Sequence, residues 1–496
     1  MKKLSLIFAC AALLFASTAL RADNVDESQA RNVAATYMAS LRGQKVVDFS
    51  TAKLFKTYIN PATGDNSLYI YNIADYGYVV VAGNTASTPV LAYNEEGVLT
   101  ASDFVENRAF ADWIQHYADM IALAQVKELP YSRKDVSDWA SLSEGQPLKK
   151  LVSKGSNTKL LMTTWWQQSA PYNDKCPYYS GQARSVVGCV ALSLGMVLRY
   201  WEYPVHPVGR TYTVNVSSQN YFVDFDEENV IYDYSLMPNK LTEGSANYAA
   251  EKEAVTTFLY HCGPAVNMSY TSTGSGTNMG AVTVALRDNY KYSGFNFIER
   301  NNYSGDWVEL MKNEILSGRP VIYRAQDNGS DKTHSGHAFN IVGYRESDGK
   351  FRVNFGWGVN AAPWCDLNEI DGLKITLGED YYEYSSNQGA FVNVMPPADS
   401  IHIELPEPPV TSINKVEDIA SISAIYPQPA SQQVNIPYAL TGSSDEQMEI
   451  YNVEGKLMTS LRVSAANNKA TVSVKGFPAG IYTCRLKGAS RKFIVK

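Results

Sequence analysis

Residues 185–201 read SVVGCVALSLGMVLRYW, and this stretch has the pattern of a buried helix. Cys189 follows Gly188 directly and stands at the start of the pattern, ahead of apolar residues at helical spacing: Val190, Leu194, Val197, Leu198 and Trp201. Free N–H groups and partial positive charge at a helix N-terminus favour a thiolate and so lower the pKa of a thiol. Cys189 is therefore a candidate nucleophile, although a lone cysteine at this spacing is more often a buried structural residue.

The composition around this helix is that of a globular, multidomain protein. The chain has 496 residues, of which 45% are hydrophobic, and no region is dominated by a repeat. That length suits roughly two to four domains. The formal net charge is −7 at pH 7. A nucleic-acid-binding protein needs a basic face to neutralise phosphates, so we expect no nucleic-acid partner.

The N-terminus has the pattern of a secretory signal peptide. Two lysines precede the apolar run LSLIFACAALLFA, and the small residues of STALRA follow it. The run is too short to span a membrane comfortably. We predict a signal peptide over residues 1–22, cleaved after Ala19 or Ala22. A lipoprotein modified at Cys10 is the alternative.

The cysteines that remain after this segment are odd in number and widely scattered: Cys176, Cys189, Cys262, Cys365 and Cys484. A small disulfide-stapled scaffold would carry dense, paired cysteines, so an odd set in an exported chain suggests a free reactive thiol. No Cys/His cluster has the spacing of a zinc site, and we therefore predict no metal and no other cofactor.

The chain up to residue 158 reads as a small α+β domain followed by a linker. DESQARNVAATYMASL predicts a helix, LYIYNIADYGYVVVAG predicts two strands around a turn, and the stretch from Ala101 to Gln125 predicts a second long helix. Residues 140–158 are rich in Gly, Ser and Lys without clear periodicity. We expect them to form an exposed linker that is open to proteolysis.

Residues 159–396 are expected to form a larger α+β domain. DWVELMKNEILSG predicts a helix, with Asp306 and Glu309 in the pattern of a capping box and Gly318 as a stop. PVIYRA, HAFNIVGYRE and KFRVNFGWG predict successive strands. Residues 397–420 are a Pro-rich linker, and the short strands and turns of residues 421–496 predict a small all-β sandwich.

A histidine, an asparagine and a glutamine could give Cys189 partners. His337 begins the strand HAFNIVGYRE and lies 148 residues (337 − 189) after the cysteine, a separation found between papain-type Cys and His partners. Asn354 could orient the imidazole through a hydrogen bond. The Gln168 amide and the Cys189 N–H are candidate donors to an oxyanion. Taken singly, His337 and Asn354 are more often structural residues.

Five stretches together resemble the streptopain family of papain-clan cysteine peptidases: WWQQSAPYN, GCVALSLGMVLRYWEYP, GSGTNMGAVTVALRDNY, SGHAFNIVGY and RVNFGWG. The likeness covers roughly residues 160–396 and implies a papain-like catalytic domain. It implies Cys189 as nucleophile, His337 as its catalytic partner and Gln168 at the oxyanion hole.

The resemblance also implies three positions that contact the substrate. The family's Asn-Trp-Gly-Trp-Gly segment is present as residues 354–358, with Phe355 in place of the first tryptophan and Trp357 as the second. This replacement keeps an aromatic wall but removes an indole N–H. Contacts with the substrate backbone are implied for Gly276 and Gly336.

The flanking regions have family likenesses of their own. Residues 23–158 are similar to an inhibitory prodomain, which implies a zymogen activated by proteolysis in the linker, where Lys149, Lys150, Lys154 and Lys159 are basic sites. The tail, with YPQPASQQVNI, IYNVEGKLM and FPAGIYTCRL, resembles the C-terminal sorting domain of the type IX secretion system. That implies outer-membrane secretion machinery as a partner, and release or attachment at a bacterial cell surface. A plain carbohydrate-binding or stalk sandwich is the alternative for the tail.

The expected function is therefore a secreted cysteine endopeptidase, made as a zymogen and acting on protein substrates. A catalytically silent surface adhesion or binding protein on the same fold is the rival reading. A third reading is an acyltransferase or transglutaminase that uses the same Cys-His chemistry.

Overall fold

The computed structural model describes most of the chain in two compact units, residues 1–406 and 407–496. The described ranges are 21–74, 77–130, 135–152, 158–179, 183–325, 336–367, 388–401, 420–422, 425–440, 445–453, 456–464, 466–487 and 489–496. All but the last two residues of the predicted signal peptide, and most of the predicted Pro-rich linker, lie outside them. Below, the N-terminal region means residues 21–152 and the central region means residues 158–401.

The helices of the first unit are α1 Glu27–Leu41, α2 Ala101–Glu106, α3 Arg108–Val126, α4 Val136–Ser143, α5 Lys149–Val152, α6 Cys189–Trp201, α7 Tyr248–Ala265, α8 Gly280–Val284 and α9 Trp307–Leu316. Two of them begin at the residues the sequence indicates. α6 begins at Cys189, and Asp306 caps α9 by accepting a hydrogen bond from the Glu309 N–H.

The strands of the first unit are β1 Ala52–Ile59, β2 Asn66–Ile73, β3 Tyr78–Ala82, β4 Val90–Asn94, β5 Thr158–Leu160, β6 Tyr178–Tyr179, β7 Ala183–Arg184, β8 Val214–Val216, β9 Gln219–Tyr221, β10 Asn296–Glu299, β11 Val321–Ala325, β12 His337–Arg345, β13 Lys350–Asn354, β14 Trp364–Cys365 and β15 Gly389–Val392. The N-terminal hairpin and the strands PVIYRA, HAFNIVGYRE and KFRVNFGWG are present as predicted.

One continuous sheet joins the N-terminal and central regions. Among the described residues its order is β1-β2-β3-β4-β14-β13-β12-β11-β15-β10, and β5 pairs with β12. The junction is the antiparallel pair of β4 and β14, in which Tyr93 faces Trp364. At Gly343 in β12, a Cβ atom would lie 2.9 Å from the Lys159 carbonyl oxygen, so only glycine lets β5 approach this closely.

Two sequence predictions for the N-terminal region need correction. The long helix from Ala101 to Gln125 is two helices, because Asn107 breaks it and caps α3 through the Phe110 N–H. Residues 140–152 are not an exposed linker. They include the end of α4 and all of α5, and they bury Leu142, Leu148 and Leu151 against the core. Lys154 lies outside the described residues.

The second unit is all-β, as predicted. Its strands are β16 Ala420–Ile422, β17 Gln433–Leu440, β18 Glu446–Tyr451, β19 Leu457–Val463, β20 Lys469–Ser473, β21 Gly480–Leu486 and β22 Ala489–Val495. In its described part they form two sheets, β16-β17-β20 and β19-β18-β21-β22, around a separate hydrophobic core.

Candidate active site

The start of α6 brings the Cys189 thiol to the edge of the central core. Gly188 precedes it with φ +89°, in a region that L side chains rarely adopt. A Cβ atom at this position would lie 2.6 Å from the Met268 Sδ and 3.1 Å from the Ser275 carbonyl oxygen. Glycine is therefore needed both for the turn into the helix and for the close approach of the neighbouring segments.

The Cys189 thiol does not have the lowered pKa that its helix position led us to expect. Burial raises the pKa of Cys189, while the backbone N–H groups of Ala338, Val190 and Cys189 itself act in the opposite direction. Ala338 directly follows His337 in β12, so the thiol lies against the first residues of that strand. In this state the thiol is protonated at neutral pH.

His337 is the first residue of β12, and its side chain is buried. Its Nε2 lies 3.0 Å from the Phe355 carbonyl oxygen, and because a carbonyl only accepts, Nε2 carries the proton. Burial lowers the pKa of His337 to about 4, and the Phe355 carbonyl opposes that shift. At pH 7 both the imidazole and the thiol are therefore neutral. The thiolate–imidazolium pair expected from the sequence is not formed in this state.

Asn354 is not placed as the orienting partner of the imidazole. Its Nδ2 donates to the Thr164 carbonyl oxygen at 2.7 Å, and its Oδ1 accepts from the Gly356 N–H at 3.0 Å. Both the nitrogen and the oxygen of the buried Asn354 amide are thus hydrogen-bonded to backbone groups. The hydrogen bond to His337 that was expected from Asn354 is made by the Phe355 carbonyl. The sequence could not separate these options, because the two residues are adjacent in the chain.

Gln168 has the environment expected of an oxyanion donor. Its side chain is 3% exposed, and among the described residues its Nε2 has no hydrogen-bond partner. The backbone carbonyl of Gln168 accepts from the Val187 N–H at 3.0 Å, which holds this residue beside the start of α6. A buried amide donor without a partner is costly unless a ligand or intermediate supplies an acceptor.

The three substrate-contact positions implied by the resemblance divide into two groups. Trp357 lies at the site, with its ring centroid 5.7 Å from that of His337 and its backbone bridged to Gln167. Gly336 is exposed beside His337. Gly276, however, uses its N–H and its C=O in mutual hydrogen bonds with Ser269, at 3.0 and 2.9 Å. The Gly276 N–H is therefore engaged and not available to a substrate backbone.

The N-terminal region supplies aromatic contacts to this site that the sequence did not indicate. In α3, Phe110 and Trp113 lie against the Phe355 ring, with centroids 6.0 and 5.8 Å apart. Trp113 also contacts Phe339, whose ring stacks on the His337 imidazole. A continuous set of rings thus connects α3 to the candidate catalytic histidine.

Residues 355–361, which we call the Phe355 loop, are also bonded directly to the N-terminal region. The Tyr78 hydroxyl donates to the Asn360 carbonyl at 2.9 Å, and Asn94 Nδ2 donates to the Val359 carbonyl at 2.8 Å. Within the loop, the Phe355 N–H donates to the Ala361 carbonyl at 3.1 Å. The position of the Phe355 carbonyl, and so of His337, therefore depends on the N-terminal region.

Neither a metal cluster nor a membrane span is found in the described part of the chain. No group of three or more His, Cys, Asp or Glu side chains there could hold a metal ion. No helix there is both long and apolar enough to cross a bilayer. Four other cysteines of the described part form no disulfide and are buried, and burial raises the pKa of each to about 12: Cys176, Cys262, Cys365 and Cys484.

Comparison with known families divides the chain in three. Residues 166–364 match the Peptidase C10 family. Residues 22–121 match the Spi protease inhibitor family, and residues 424–496 match the secretion system C-terminal sorting domain. The sorting domain indicates a secreted or cell-surface protein.

Curated relatives and a solved structure agree with these matches. The thiol protease/hemagglutinin PrtT of Porphyromonas gingivalis is 26% identical over 80% of this chain, which spans 45% of that relative's length. Streptopain of Streptococcus pyogenes is 25% identical over 75% of this chain and 92% of its own length. A prointerpain A fragment of Prevotella intermedia covers 70% of this chain and 99% of the solved chain, with 23% identity and a TM-score of 0.52. The chain therefore contains a Peptidase C10 (streptopain family) domain, and residues 424–496 form a type IX secretion sorting domain.

Proposed function

We propose that this protein is a secreted cysteine endopeptidase held latent by its N-terminal region, which we call the prodomain below. The observation that carries the proposal is the site itself. Cys189 stands at a helix N-terminus and lies against the start of β12, where His337 is buried and neutral. Gln168 lies near the start of the same helix, and in the described part of the chain its buried amide nitrogen has no partner. Trp113 of the prodomain contacts Phe355, whose ring stacks on the imidazole. The family match supports the reaction class, and the Spi inhibitor match supports the role of the prodomain.

In the active enzyme, the His337 imidazole takes the thiol proton of Cys189. The thiolate then attacks the carbonyl carbon of the scissile peptide, forming a tetrahedral intermediate with a negative oxygen. The Gln168 amide and the Cys189 N–H donate to that oxygen, which is where charge develops. The imidazolium protonates the leaving amine as the C–N bond breaks. Water then hydrolyses the thioester, giving the carboxylic acid and restoring the thiol.

Latency follows from the state of His337. The Phe355 carbonyl holds Nε2 and leaves Nδ1 free to accept, but burial lowers the pKa of the ring, so this burial must be relieved before the imidazole takes the proton of Cys189. That carbonyl is positioned by Phe110 and Trp113, and by the hydrogen bonds from Tyr78 and Asn94 to the Phe355 loop. Removal of the prodomain withdraws all four contacts. Activation is thus a local rearrangement of one loop and one ring.

The test uses residues 23–496 of the wild type beside the Cys189→Ala variant. We expect the wild type to process itself within or near residues 153–157 and then to cleave casein. The variant should stay at full length and leave casein intact. N-terminal sequencing of the products locates the activation bond. A Cys189→Ala protein that still processes itself and cleaves casein at the wild-type rate contradicts the proposal.

A further inference from the structure

Beneath the prodomain, the central region carries a buried cation that the peptidase chemistry does not use. Arg352 lies in β13, two residues before Asn354, and its side chain is 4% exposed. Its Nη1 donates to the Asn94 Oδ1 of the prodomain at 3.0 Å, while its Nε has no partner among the described residues. The partner that the prodomain offers this guanidinium is a neutral amide, where a carboxylate would fit better.

The central region presents Arg352 in an aromatic frame. The guanidinium carbon lies 5.3 Å from the ring centroid of Trp165 and 5.7 Å from that of Trp364. Trp364 is its cross-strand neighbour in β14. Both indoles belong to the central region and would remain when the prodomain leaves. Indole faces hold a guanidinium in one orientation without neutralising its charge.

The groups that cover this cation and balance it belong to the prodomain. Desolvation lowers the pKa of Arg352, and Tyr78, Glu96 and Glu95 act in the opposite direction. All three lie in β3 or just after β4. Among the other cations on this face, Lys350 keeps its partner Asp366 in the central region, whereas Arg345 pairs with Glu95 of the prodomain and loses that partner when the prodomain leaves. Loss of the prodomain therefore uncovers a guanidinium without a carboxylate.

Arg352 is connected closely to the catalytic cleft. Trp165 stands three residues before Gln168 in the chain, and Asn354, at the end of the same strand as Arg352, bonds both Thr164 and Gly356. An extended substrate that leaves the cleft on this side would reach the uncovered cation within a few residues.

We propose that Arg352, framed by Trp165 and Trp364, is an exosite of the activated enzyme that binds a side-chain carboxylate of the protein substrate, and that Asn94 occupies it in the zymogen.

This inference rests on the proposed peptidase function, and its experiment separates the two. The enzyme activated from residues 23–496, and freed of its prodomain, is given peptides that share one cleavable core, taken from a casein cleavage site. The core carries two flanking glutamates or two flanking glutamines, on its N-terminal or its C-terminal side. When the glutamates lie on the side of the core that reaches Arg352, we expect kcat/KM to be about fivefold higher for the glutamate peptide than for the glutamine peptide. An ion pair that keeps some solvent access gives an advantage of this size.

In Arg352→Gln, the ratio of kcat/KM for the glutamate peptide to that for the glutamine peptide should fall toward one. Arg352→Lys keeps the charge and should keep part of the ratio. Arg287→Gln is the matched control, because it makes the same change at an exposed arginine whose ion pair is with its neighbour Asp288. It should keep the wild-type ratio.

Ionic strength gives a readout on the wild type that does not depend on a variant folding. Raising the salt from about 0.05 M to about 0.5 M shortens the screening length severalfold, so the glutamate advantage should shrink while cleavage of the glutamine peptide changes little. Equal rates for both peptides on both sides overturn the exosite while leaving the peptidase intact. A kcat/KM ratio between the glutamate and glutamine peptides that stays at its wild-type value in Arg352→Gln also overturns the exosite and leaves the peptidase function intact. A chain that cleaves none of the peptides overturns the proposed function, and the exosite with it.

Discussion

At the scale of single residues, Gly188 and Cys189 decide where the thiol stands. Gly188 takes φ +89°, and this turn lets the chain enter α6 with the cysteine as its first residue. The Met268 side chain and the Ser275 carbonyl fill the space where a Cβ atom would lie. The position of the nucleophile therefore depends on the absence of a side chain one residue before it.

We predict that Gly188→Ala lowers kcat/KM of the activated enzyme by about 10²-fold, since displacing a nucleophile by about 1 Å has effects of this size. The strained φ and the contact with Met268 should both displace Cys189. Gly274→Ala is the control, because a Cβ atom there meets nothing within 4 Å and φ is not positive. A fully active Gly188→Ala enzyme would contradict this geometry. Peptide hydrolysis measured on the two variants side by side decides it.

His337 makes the latent state sensitive to acid. Its pKa in the zymogen is about 4, below its ordinary value of 6.5, because burial disfavours the charged ring. A group with a depressed folded-state pKa stabilises the fold above its unfolded pKa, and that contribution is lost as the pH falls from about 6.5 through 4. Buried His261 has a pKa lowered to about 4 as well, so it contributes in the same window.

We therefore predict that the Tm of the Cys189→Ala zymogen falls as the pH is lowered from 6.5 to 4. Adding His337→Gln should remove part of that decrease, because the group that must take up a proton is gone. Adding His261→Gln instead should remove a separate part. Thermal unfolding at several pH values measures both effects. An unchanged pH dependence in the His337→Gln background would show that the imidazole is not buried as a neutral ring.

Labelling of Cys189 should report the same latent state. Because burial raises the pKa of the thiol in the zymogen, alkylation by iodoacetamide should be slow at pH 7 and accelerate above pH 9. After activation, alkylation should be fast below pH 7, as expected of a thiolate paired with an imidazolium. Mass spectrometry of intact and processed protein separates the two populations. Fast labelling of the unprocessed chain at pH 6 would contradict the latent geometry.

At the scale of secondary-structure elements, α3 and the Phe355 loop determine the state of the site. α3 begins at Arg108 because Asn107 interrupts the preceding helix and caps the new one. The short α2 and this break aim Phe110 and Trp113 at the Phe355 ring. The replacement of a family tryptophan by Phe355 keeps the ring contact and leaves the backbone carbonyl to hold His337.

We predict that Trp113→Ala speeds the loss of latency. Trp113 and Trp139 are both buried in the prodomain, and either change to alanine should lower its free energy of unfolding by about 3–5 kcal/mol. Only Trp113 touches Phe355 and Phe339. Trp113→Ala should therefore raise the alkylation rate of Cys189 in the unprocessed chain at pH 7 well above that of Trp139→Ala. Equal rates would show that prodomain stability alone, and not this contact, controls the site.

At the scale of the whole first unit, the prodomain is built into the sheet of the central region. β4 pairs with β14, and the carboxylate of Asp348 accepts from the hydroxyls of Tyr37 and Tyr93 at 2.8 and 2.7 Å. Burial raises the pKa of both tyrosines, so they remain donors at neutral pH. Arg345 adds an ion pair with Glu95. The covalent linker is thus only one of several connections.

We predict that cleavage between residues 152 and 158 does not by itself release the prodomain. A Cys189→Ala zymogen with a specific protease site in place of residues 153–157 should stay as one complex in gel filtration after the cut. Glu95→Gln together with Tyr93→Phe should let the two fragments separate, because the Arg345–Glu95 ion pair and the Tyr93 hydrogen bond to Asp348 are lost. Arg31→Gln, which breaks only an exposed pair inside the prodomain, is the control. Separation of the unmodified fragments at once would contradict this prediction.

The sequence alone determined the elements and the chemistry carried by local patterns. Apolar periodicity placed α6, alternation placed β12 and β13, and turn residues placed the strands of the all-β unit, because these signals are read within one element. The same local reasoning failed for residues 140–152, where leucines that look isolated in the chain are buried because α4 and α5 pack against α1. It also predicted that Asn354 orients the His337 imidazole, whereas the carbonyl of the next residue, Phe355, makes that hydrogen bond. Spacing in the sequence cannot distinguish two adjacent residues at the end of a strand.

Only the tertiary structure decided the protonation state of the site and what covers it. The pKa of Cys189 is set by burial against β12 as well as by the helix N-terminus. His337 is neutral because it is buried, and the rings of Phe339 and Phe355 that stack on it are covered in turn by Trp113 of α3. The environment of Arg352 likewise depends on tertiary structure, because its acceptor, Asn94, lies more than two hundred residues earlier in the chain. Local patterns fix the types of groups, whereas burial and electrostatics depend on which distant segments meet, and that is decided by packing.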